Sequence, residues 1–158
     1  MALVAESTVL LGTVRWLARE GWAVIRVSPP RGITTAQIET LIENSAGKPP
    51  DLIGRAGGAD ILARKRGTEW RIECKGLPAR ANTLWSDFHR GLGEVVALYD
   101  QRGAQLRLGL ALPDDGRYSK VCRDKLGVAL REALNLWILF YDWTEDSIRL
   151  VQPRIALA

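Results

Sequence analysis

The sequence predicts an α/β protein with a mixed central sheet flanked by helices. Segments with apolar residues at helical spacing alternate with strand-like segments along the chain. Residues 106–112 and 136–141 are continuous apolar runs of strand length, which is typical of strands buried on both faces. Two further strand-like segments flank Arg66-Gly67, a pair that suits a tight hairpin turn. The sheet should therefore contain both parallel and antiparallel pairs.

The size and composition of the chain suit one domain. It has 158 residues, of which 47% are hydrophobic, enough for one core but short for two. We expect a single domain over residues 1–158, with an insertion at about 28–58. Lys and Arg outnumber Asp and Glu by 22 to 18, a balance compatible with a polyanionic partner.

The cysteines and the hydropathy of the chain indicate the cellular compartment that we expect. Cys74 and Cys122 have no spacing typical of zinc sites or disulfide frameworks, so we expect a reducing cytoplasm. No apolar run approaches the ~20 residues of a membrane span, so no membrane association is expected.

The first elements are a helix, a strand and a short second helix. Apolar spacing predicts a helix over 5–20, and residues 22–27 have strand character before the proline-containing segment 28–32. Thr34 and Gln37 have the spacing of a capping box, so a helix should begin there. Its apolar face would carry Ile38, Leu41 and Ile42.

The later elements complete the sheet and its cover. Residues 59–65 and 69–75 should form the hairpin, followed by a helix over 83–101. A crossover helix over 118–134 should join the two apolar strands, and a last strand is predicted at 147–151. The inward face of the helix after the hairpin should carry Leu84, Phe88, Val95 and Tyr99.

The hairpin brings three charged residues together. A loop of two or four residues centred on Arg66-Gly67 places Asp60 directly across from Glu73. Side chains alternate along a strand, so Lys75 points the same way as Glu73, and Cys74 points into the opposite layer. A three-residue loop or a bulge would shift this pairing.

Two carboxylates on facing strands suggest a bound cation. Cross-strand neighbours lie about 4.5–5.5 Å apart at Cβ, so Asp60 and Glu73 oppose folding unless a positive charge offsets them. Mg²⁺ is commonly held by one or two carboxylates, and an ammonium such as that of Lys75 can stabilise developing negative charge. This combination points to phosphodiester hydrolysis; the alternative is a solvated hairpin whose charges pair with neighbours.

Glu6 is a candidate fourth member of the site. It lies one helical turn before Leu10, which places a carboxylate on the apolar stripe of the first helix. An N-terminal acid favoured by the helix dipole is the alternative explanation.

With these residues, the chain resembles the PD-(D/E)XK nuclease superfamily, whose restriction-endonuclease-like core runs helix, three strands, helix, strand. The resemblance covers roughly residues 6–112, and an extra helix and strand follow. It implies that Asp60 and Glu73 are metal ligands, that the Cys74 carbonyl completes the metal shell and that Lys75 assists the attacking water. Glu6 looks similar to the acid that archaeal-type Holliday junction resolvases carry on their first helix, although the long segment 28–58 departs from them.

The resemblance implies a metal-dependent endonuclease. We expect Mg²⁺, with Mn²⁺ as a substitute, and a nucleic-acid substrate, DNA, in repair, recombination, restriction or mobile-element processing. A homodimer is expected because cutting both strands of a duplex needs two sites. The alternative is a catalytically silent domain of this fold that binds nucleic acid or a protein partner.

Two other acids are candidates for the site. Asp51 belongs to a literal Pro-Asp pair, but it lies outside the hairpin register and before the glycines 57 and 58, so Asp60 is preferred. Glu94 falls where many superfamily members carry a glutamine or acid, and a solvated helix acid explains it equally well.

Two basic groups are candidates for phosphate contacts, with ordinary solvated faces as the alternative. One is at the hairpin tip and comprises Arg64, Lys65 and Arg66; the other lies on the crossover helix and comprises Lys120, Arg123, Lys125 and Arg131. His89 is expected on the surface rather than in catalysis. Trp85 is the best candidate for stacking on bases, because the elements holding Trp16, Trp22 and Trp137 should pack into the core.

Overall fold

The computed structural model describes residues 2–28, 30, 33–44, 52–53, 58–100, 103 and 105–157. In chain order the elements are β1 Ala2–Val4, α1 Glu6–Arg19, β2 Ala23–Val27, α2 Thr35–Asn44, β3 Leu52–Ile53, β4 Ile61–Lys65, β5 Thr68–Cys74, β6 Leu77–Pro78, α3 Ala81–Ala97, β7 Leu106–Pro113, α4 Gly116–Lys125, α5 Val128–Leu134, β8 Leu136–Asp142 and β9 Ser147–Val151. None of the helices in these ranges has the length and apolar character needed to cross a membrane.

The main sheet is mixed, as predicted. Within the described ranges it has seven strands in the order β3-β2-β4-β5-β7-β8-β9, and β3 is a two-residue edge strand. The central strands β5, β7 and β8 are parallel. The pairs β2 with β4, β4 with β5, and β8 with β9 are antiparallel. The parallel centre explains the continuous apolar runs, because those strands are buried on both faces.

Helices cover both faces of this sheet. On one face α1 lies so close that a Cβ added at Gly12 would be 2.3 Å from the Tyr141 ring in β8. On the other face α3 packs against β5 and β7, where Gly91 approaches the side chains of Lys75 and Leu110. Right-handed crossovers place α4 and α5 on the same face as α3.

The predicted hairpin register is confirmed. Pairing runs from Ile61 opposite Ile72 to Lys65 opposite Thr68. The turn has two residues, with φ 48° at Arg66 and φ 80° at Gly67, and positive φ at both central positions is typical of the tight turn that matches strand twist. Strand alternation therefore carries the charged residues of β5 onto one face and its apolar residues onto the other.

The capping box of α2 is also confirmed. The Thr34 N–H donates to Gln37 Oε1 at 2.8 Å, and the Gln37 N–H donates to Thr34 Oγ1 at 3.3 Å. Ile38 is fully buried, as predicted. The side chains of Leu41 and Ile42 lie outside the described residues.

Two local predictions were wrong, and one small sheet was not predicted. The crossover helix is two helices, because the chain leaves helical geometry at Leu126, which is 1% exposed, and Gly127 caps α5. The helix after the hairpin ends at Ala97 rather than near 101. A small antiparallel sheet of β1 and β6 was not predicted.

Arg131 of α5 is not available for phosphate contact, contrary to its place among the basic residues of the crossover helix. Its side chain is buried, with the residue only 1% exposed. The guanidinium donates to the main-chain oxygens of Leu126 at 3.1 Å, Gln152 at 3.0 Å and Ile155 at 2.6 Å. Arg131 therefore ties the segment after β9 to α5.

Candidate active site

The candidate site lies at the carboxyl end of β5, where the chain passes through Gly76. A Cβ at Gly76 would be 2.6 Å from the Val4 carbonyl oxygen and 2.7 Å from the Glu6 nitrogen. Glycine therefore lets the start of α1 approach the end of β5. This close approach brings the first helix next to the Glu73-Cys74-Lys75 triplet.

Asp60 lies in a bend immediately before β4 and is fixed by two main-chain contacts. Its carbonyl oxygen accepts the Ser28 N–H at 2.7 Å, and its carboxylate Oδ2 accepts the Cys74 N–H at 2.8 Å. Asp60 is thus joined to the end of β2 and to β5. Burial is the main cause that raises the pKa of the Asp60 carboxyl, although the Cys74 N–H and the Lys75 charge lower it.

Glu73 and Lys75 share the face of β5 that α3 covers. Glu73 is 6% exposed and Lys75 is 4% exposed. The Lys75 Nζ lies 2.7 Å from Glu73 Oε1 and 2.7 Å from Glu94 Oε2. The ammonium therefore joins a carboxylate of the sheet to a carboxylate of α3.

Burial and neighbouring charges shift the pKa values of Glu73 and Lys75. Burial, followed by the negative charge of Asp60, raises the pKa of Glu73 to about 8. Burial disfavours the charged form of Lys75, but hydrogen bonds to Glu73 and Glu94 outweigh it and raise the Lys75 pKa. The Lys75 ammonium is therefore charged at neutral pH.

Glu6 is at the same end of the sheet, as the first residue of α1. Its carboxyl is partly buried, and burial is the main cause that raises its pKa. The Lys75 charge lowers that pKa, and the Asp60 charge raises it. Glu6 is therefore within electrostatic range of the sheet residues, and it is also at the helix N-terminus.

Cys74 can contribute to this site only through its main chain. Its thiol is fully buried in the opposite layer, and burial raises the thiol pKa well above its ordinary value. A neutral thiol is not a metal ligand. The predicted role of the Cys74 carbonyl stays a prediction.

The carboxyl oxygens at this end of β5 are candidate ligands for a divalent cation. Glu73 and Glu94 contact the Lys75 ammonium, and Glu6 and Asp60 interact with it electrostatically, so four carboxyls act on one ammonium. Oxygen ligands in excess of positive charge are what Mg²⁺ and Mn²⁺ require. In the described ranges, no three acidic, histidine or cysteine side chains are already arranged as a metal-binding group, and the Lys75 ammonium lies between two of the carboxylates.

The basic group at the hairpin tip is not near this site. Arg66 is six residues along the strand from Asp60, a separation of roughly 20 Å. Arg64 pairs with Glu69 at 2.8 Å. Lys65 donates to the Glu20 carbonyl oxygen and lies over the Trp22 ring. Both side chains thus have structural contacts, and their predicted role with nucleic acid stays a prediction.

The basic group on α4 is closer. The Tyr118 hydroxyl of α4 donates to the Gly76 carbonyl oxygen at 2.8 Å, which anchors that helix beside the candidate site. Lys120, Arg123 and Lys125 are all exposed. The Tyr118 contact links α4 to the end of β5, and the three basic side chains lie on the exposed part of that helix.

Among the remaining candidates, the histidine and the tryptophans lie where the sequence predicts. His89 is exposed on α3, and its Nδ1 lies 2.9 Å from the Trp85 carbonyl oxygen. Trp85 is exposed, and the three tryptophans expected to pack do so, namely Trp16, Trp22 and Trp137. Asp51 lies outside the described residues.

Sequence reasoning missed Gly91 and left Glu94 undecided. Gly91 gives the Lys75 side chain its space against α3, because a Cβ there would be 2.9 Å from Lys75 Cε. The available signal was a glycine inside a helix, which usually has a packing reason. Glu94 follows Gly91 by three residues and so extends from the same face of α3.

The chain matches no protein-family model, no curated protein and no solved structure. Its function must therefore be argued from the arrangement of its own residues.

Proposed function

We propose that the protein is a metal-dependent endonuclease that hydrolyses phosphodiester bonds in nucleic acid, with DNA as the expected substrate. One observation carries the proposal: Asp60, Glu73 and Lys75 converge at the carboxyl end of β5, with Lys75 Nζ 2.7 Å from Glu73. Buried carboxylates beside a buried ammonium are costly to fold, and such clusters are typical of functional sites.

The order of elements supports a restriction-endonuclease-like core. A helix, a strand, a hairpin, a helix and a parallel strand follow one another as α1, β2, β4 with β5, α3 and β7. This is the order of the PD-(D/E)XK superfamily that the sequence resembles. The segment between β2 and β4, with α2 and β3, is an insertion within that proposed single domain.

Each residue has a distinct proposed role. Asp60 and Glu73 would hold Mg²⁺ or Mn²⁺, and the Cys74 carbonyl oxygen would be a further ligand. A cation held there would supply polarisation of a phosphoryl oxygen and a lower pKa for water. Lys75 orients the attacking water and stabilises the negative charge that develops on the phosphate. Glu94 positions the Lys75 ammonium, and Glu6 adds negative charge at the edge of the site.

The setting and assembly are part of the same proposal. Cys74 and Cys122 are both free thiols, which suits a reducing cytoplasm. Cutting both strands of a duplex would require two copies of the chain, so a homodimer is proposed for a duplex substrate.

Cleavage assays on the purified protein test this function. Linear duplex, branched and single-stranded DNA, and single-stranded RNA, are incubated with Mg²⁺, with Mn²⁺ or with EDTA. We expect cleavage with either cation and none in EDTA. Lys75→Ala should lower the rate by roughly 10²–10³-fold, the usual loss of a charge-stabilising donor. Arg154→Ala is the matched control, because Arg154 is 85% exposed and remote from the site.

Cleavage that persists in EDTA, or in Lys75→Ala at the rate of the wild type, contradicts the mechanism. The alternative is a domain of the same fold that binds nucleic acid or a protein partner without cutting. It is favoured by one observation, that the Lys75 ammonium pairs with both Glu73 and Glu94, so that a cation has to compete with this ammonium for the Glu73 carboxylate. Metal-independent binding without cleavage of any substrate would support it.

A further inference from the structure

A cleft lies between α3 and α4. Its volume is about 180 Å³. Leu84 and Val121 form its apolar floor, and its rim carries Trp85, the basic residues Arg117 and Lys120, and the acidic residue Asp124. We call this feature the α3–α4 cleft. Because an aromatic ring and cations share one rim, the cleft has the chemistry of nucleotide recognition.

The charge of the cleft comes from α4. Ten residues of this helix hold four basic side chains and one acidic side chain, against 22 and 18 in the whole chain. Arg117 pairs with Asp115 at 2.9 Å. Among the residues that the structure describes, neither Lys120 nor Lys125 has a carboxylate within 4.0 Å. These two ammonium groups are therefore available for an anion.

Trp85 is a large apolar side chain on the surface, 39% exposed. Its indole already stacks with the flat His89 ring, at a centroid distance of 5.4 Å and an angle of 20°. Lys125 Nζ lies 5.5 Å from the indole centroid. The Lys125 ammonium has a flexible stem, so it can move from the indole to a phosphate when a base takes its place.

The cleft and the candidate site are held in a fixed relationship. Trp85 precedes Gly91 by six residues on α3, which is roughly 9 Å along the helix axis, and Gly91 packs on Lys75. On the other side, Tyr118 joins α4 to Gly76 through its hydroxyl at 2.8 Å. Trp85 and Glu94 are nine residues apart and so point to opposite sides of α3, which means that a strand occupying both the cleft and the site at Lys75 has to cross α3.

We propose that the α3–α4 cleft binds an unpaired nucleotide of a single strand, with the base stacked on Trp85 and the phosphates contacted by Lys120 and Lys125. Stacking on a protein ring requires a base that is free of its partner, because duplex bases present only their edges. The substrate class is thus single-stranded nucleic acid, or a strand that leaves a duplex. A part for the cleft in cleavage rests on the proposed function, whereas binding in the cleft requires no metal.

Binding without cleavage tests the proposal. The fluorescence anisotropy of labelled ten-nucleotide oligo(dT) and oligo(U), and of a duplex of equal length, is measured in EDTA. Trp85→Ala should weaken single-strand binding by about tenfold, and Trp85→Phe should stay within about threefold of the wild type. Duplex binding should not change in either variant. Trp143→Ala is the matched control, because Trp143 is 40% exposed in the turn between β8 and β9.

The two lysines give a separate measurement. Lys120→Ala and Lys125→Ala should each reduce the slope of log affinity against log salt by about 0.7 for a single strand. Arg154→Ala should leave the slope unchanged. The two oligonucleotides distinguish the sources of the strand, since the tighter ligand identifies DNA or RNA as the better occupant.

The proposal is overturned if neither oligonucleotide binds, if Trp85→Ala and wild type bind equally, or if Trp85→Ala weakens single strand and duplex alike. Thermal unfolding of each variant establishes that it is folded, and Trp85→Phe separates stacking from packing. If Lys75→Ala loses cleavage and Trp85→Ala leaves binding unaffected, nucleotide binding in the cleft is overturned and the proposed function stands. If binding depends on Trp85 but no substrate is cleaved, nucleotide binding in the cleft stands and the proposed function is overturned.

Discussion

A Cβ added at Gly91 of α3 would lie 2.9 Å from Cε and 3.0 Å from Cγ of Lys75. The α3 backbone therefore sets the path of the Lys75 side chain along the sheet. Because the same side chain carries the ammonium between Glu73 and Glu94, the position of that charge depends on the absence of a side chain at residue 91.

Gly91→Ala should displace the Lys75 ammonium. We expect cleavage to fall by at least about tenfold, because a misplaced catalytic group costs this much or more. Crowding should also cost about 1–3 kcal/mol of unfolding free energy, partly offset by about 1 kcal/mol from the better helix former. Urea unfolding and cleavage rates measure the two effects.

Gly93→Ala is the matched control for this change. Gly93 is on the same helix, and a Cβ there meets no atom within 4 Å. It should raise stability by about 0.5–1 kcal/mol and leave cleavage unchanged. Equal behaviour of the two variants would show that the contact with Lys75 is unimportant.

Asp60→Asn should distinguish a role of Asp60 in metal binding from a role in the stability of the fold. The amide oxygen can still accept the Cys74 N–H, and a neutral amide avoids the cost of burying a charged carboxylate, so metal-free stability should stay equal or rise by up to about 1 kcal/mol. Mg²⁺ should raise the melting temperature of the wild type, with about 1.4 kcal/mol gained at ten times the dissociation constant.

The Asp60→Asn variant should lose most of this Mg²⁺ effect. Asp100→Asn is the control, because Asp100 is 65% exposed and pairs with Arg71. A full Mg²⁺ effect in Asp60→Asn would remove Asp60 from the ligand set.

Asp146 should make stability fall in acid. Burial opposes its ionisation, but hydrogen bonds from Arg15, Arg19 and Tyr141 outweigh burial and hold the Asp146 pKa below its ordinary value. A depressed pKa stabilises the folded state above the unfolded value of about 3.9, and this contribution is lost as pH falls through the folded pKa.

Asp146→Asn should therefore cost roughly 1 kcal/mol at pH 7, a modest figure because 35% of the side chain is exposed. The difference from wild type should shrink steadily below about pH 4. Urea unfolding at several pH values measures it, with Glu145→Gln in the same turn as control. A difference that does not depend on pH would contradict the ion-pair explanation.

Arg131→Met should destabilise the protein by about 2–4 kcal/mol. The substitution keeps an apolar stem but removes the donors to the oxygens of Leu126, Gln152 and Ile155. Arg131→Lys should recover only part of the loss, because one ammonium cannot reproduce the planar fork. Chemical denaturation measures both variants.

Arg123→Met on α4 is the control, since its side chain is 51% exposed and its effect should stay within about 0.5 kcal/mol. A loss of similar size in both variants would show that the buried hydrogen bonds of Arg131 add little.

The part of the site that depends on local chemistry could be predicted from the sequence. Arg66-Gly67 determines the turn, the turn determines the register, and the register relates Asp60 to Glu73. Glu94 could not be decided in this way. Its contact with Lys75 depends on how α3 rotates about its axis against the sheet, which spacing along the chain does not specify.

The errors in the fold have similar causes. Apolar spacing continues through Leu126, so one crossover helix was predicted although Gly127 was a signal for a break. The β1 strand pairs with β6 across more than 70 residues, and both are too short to show an alternating pattern. Long-range pairing of such short segments leaves no local signal.

The length of the two-residue turn at Arg66-Gly67 determines which side chains face each other at the distant candidate site. An inserted loop residue that shifts the β4–β5 pairing by one position would send either Asp60 or Glu73 to the opposite layer, roughly 20 Å from the change. An added pair of residues could preserve the facing. When this turn is lengthened, an even or odd number of added residues therefore matters more to the site than which residues are added.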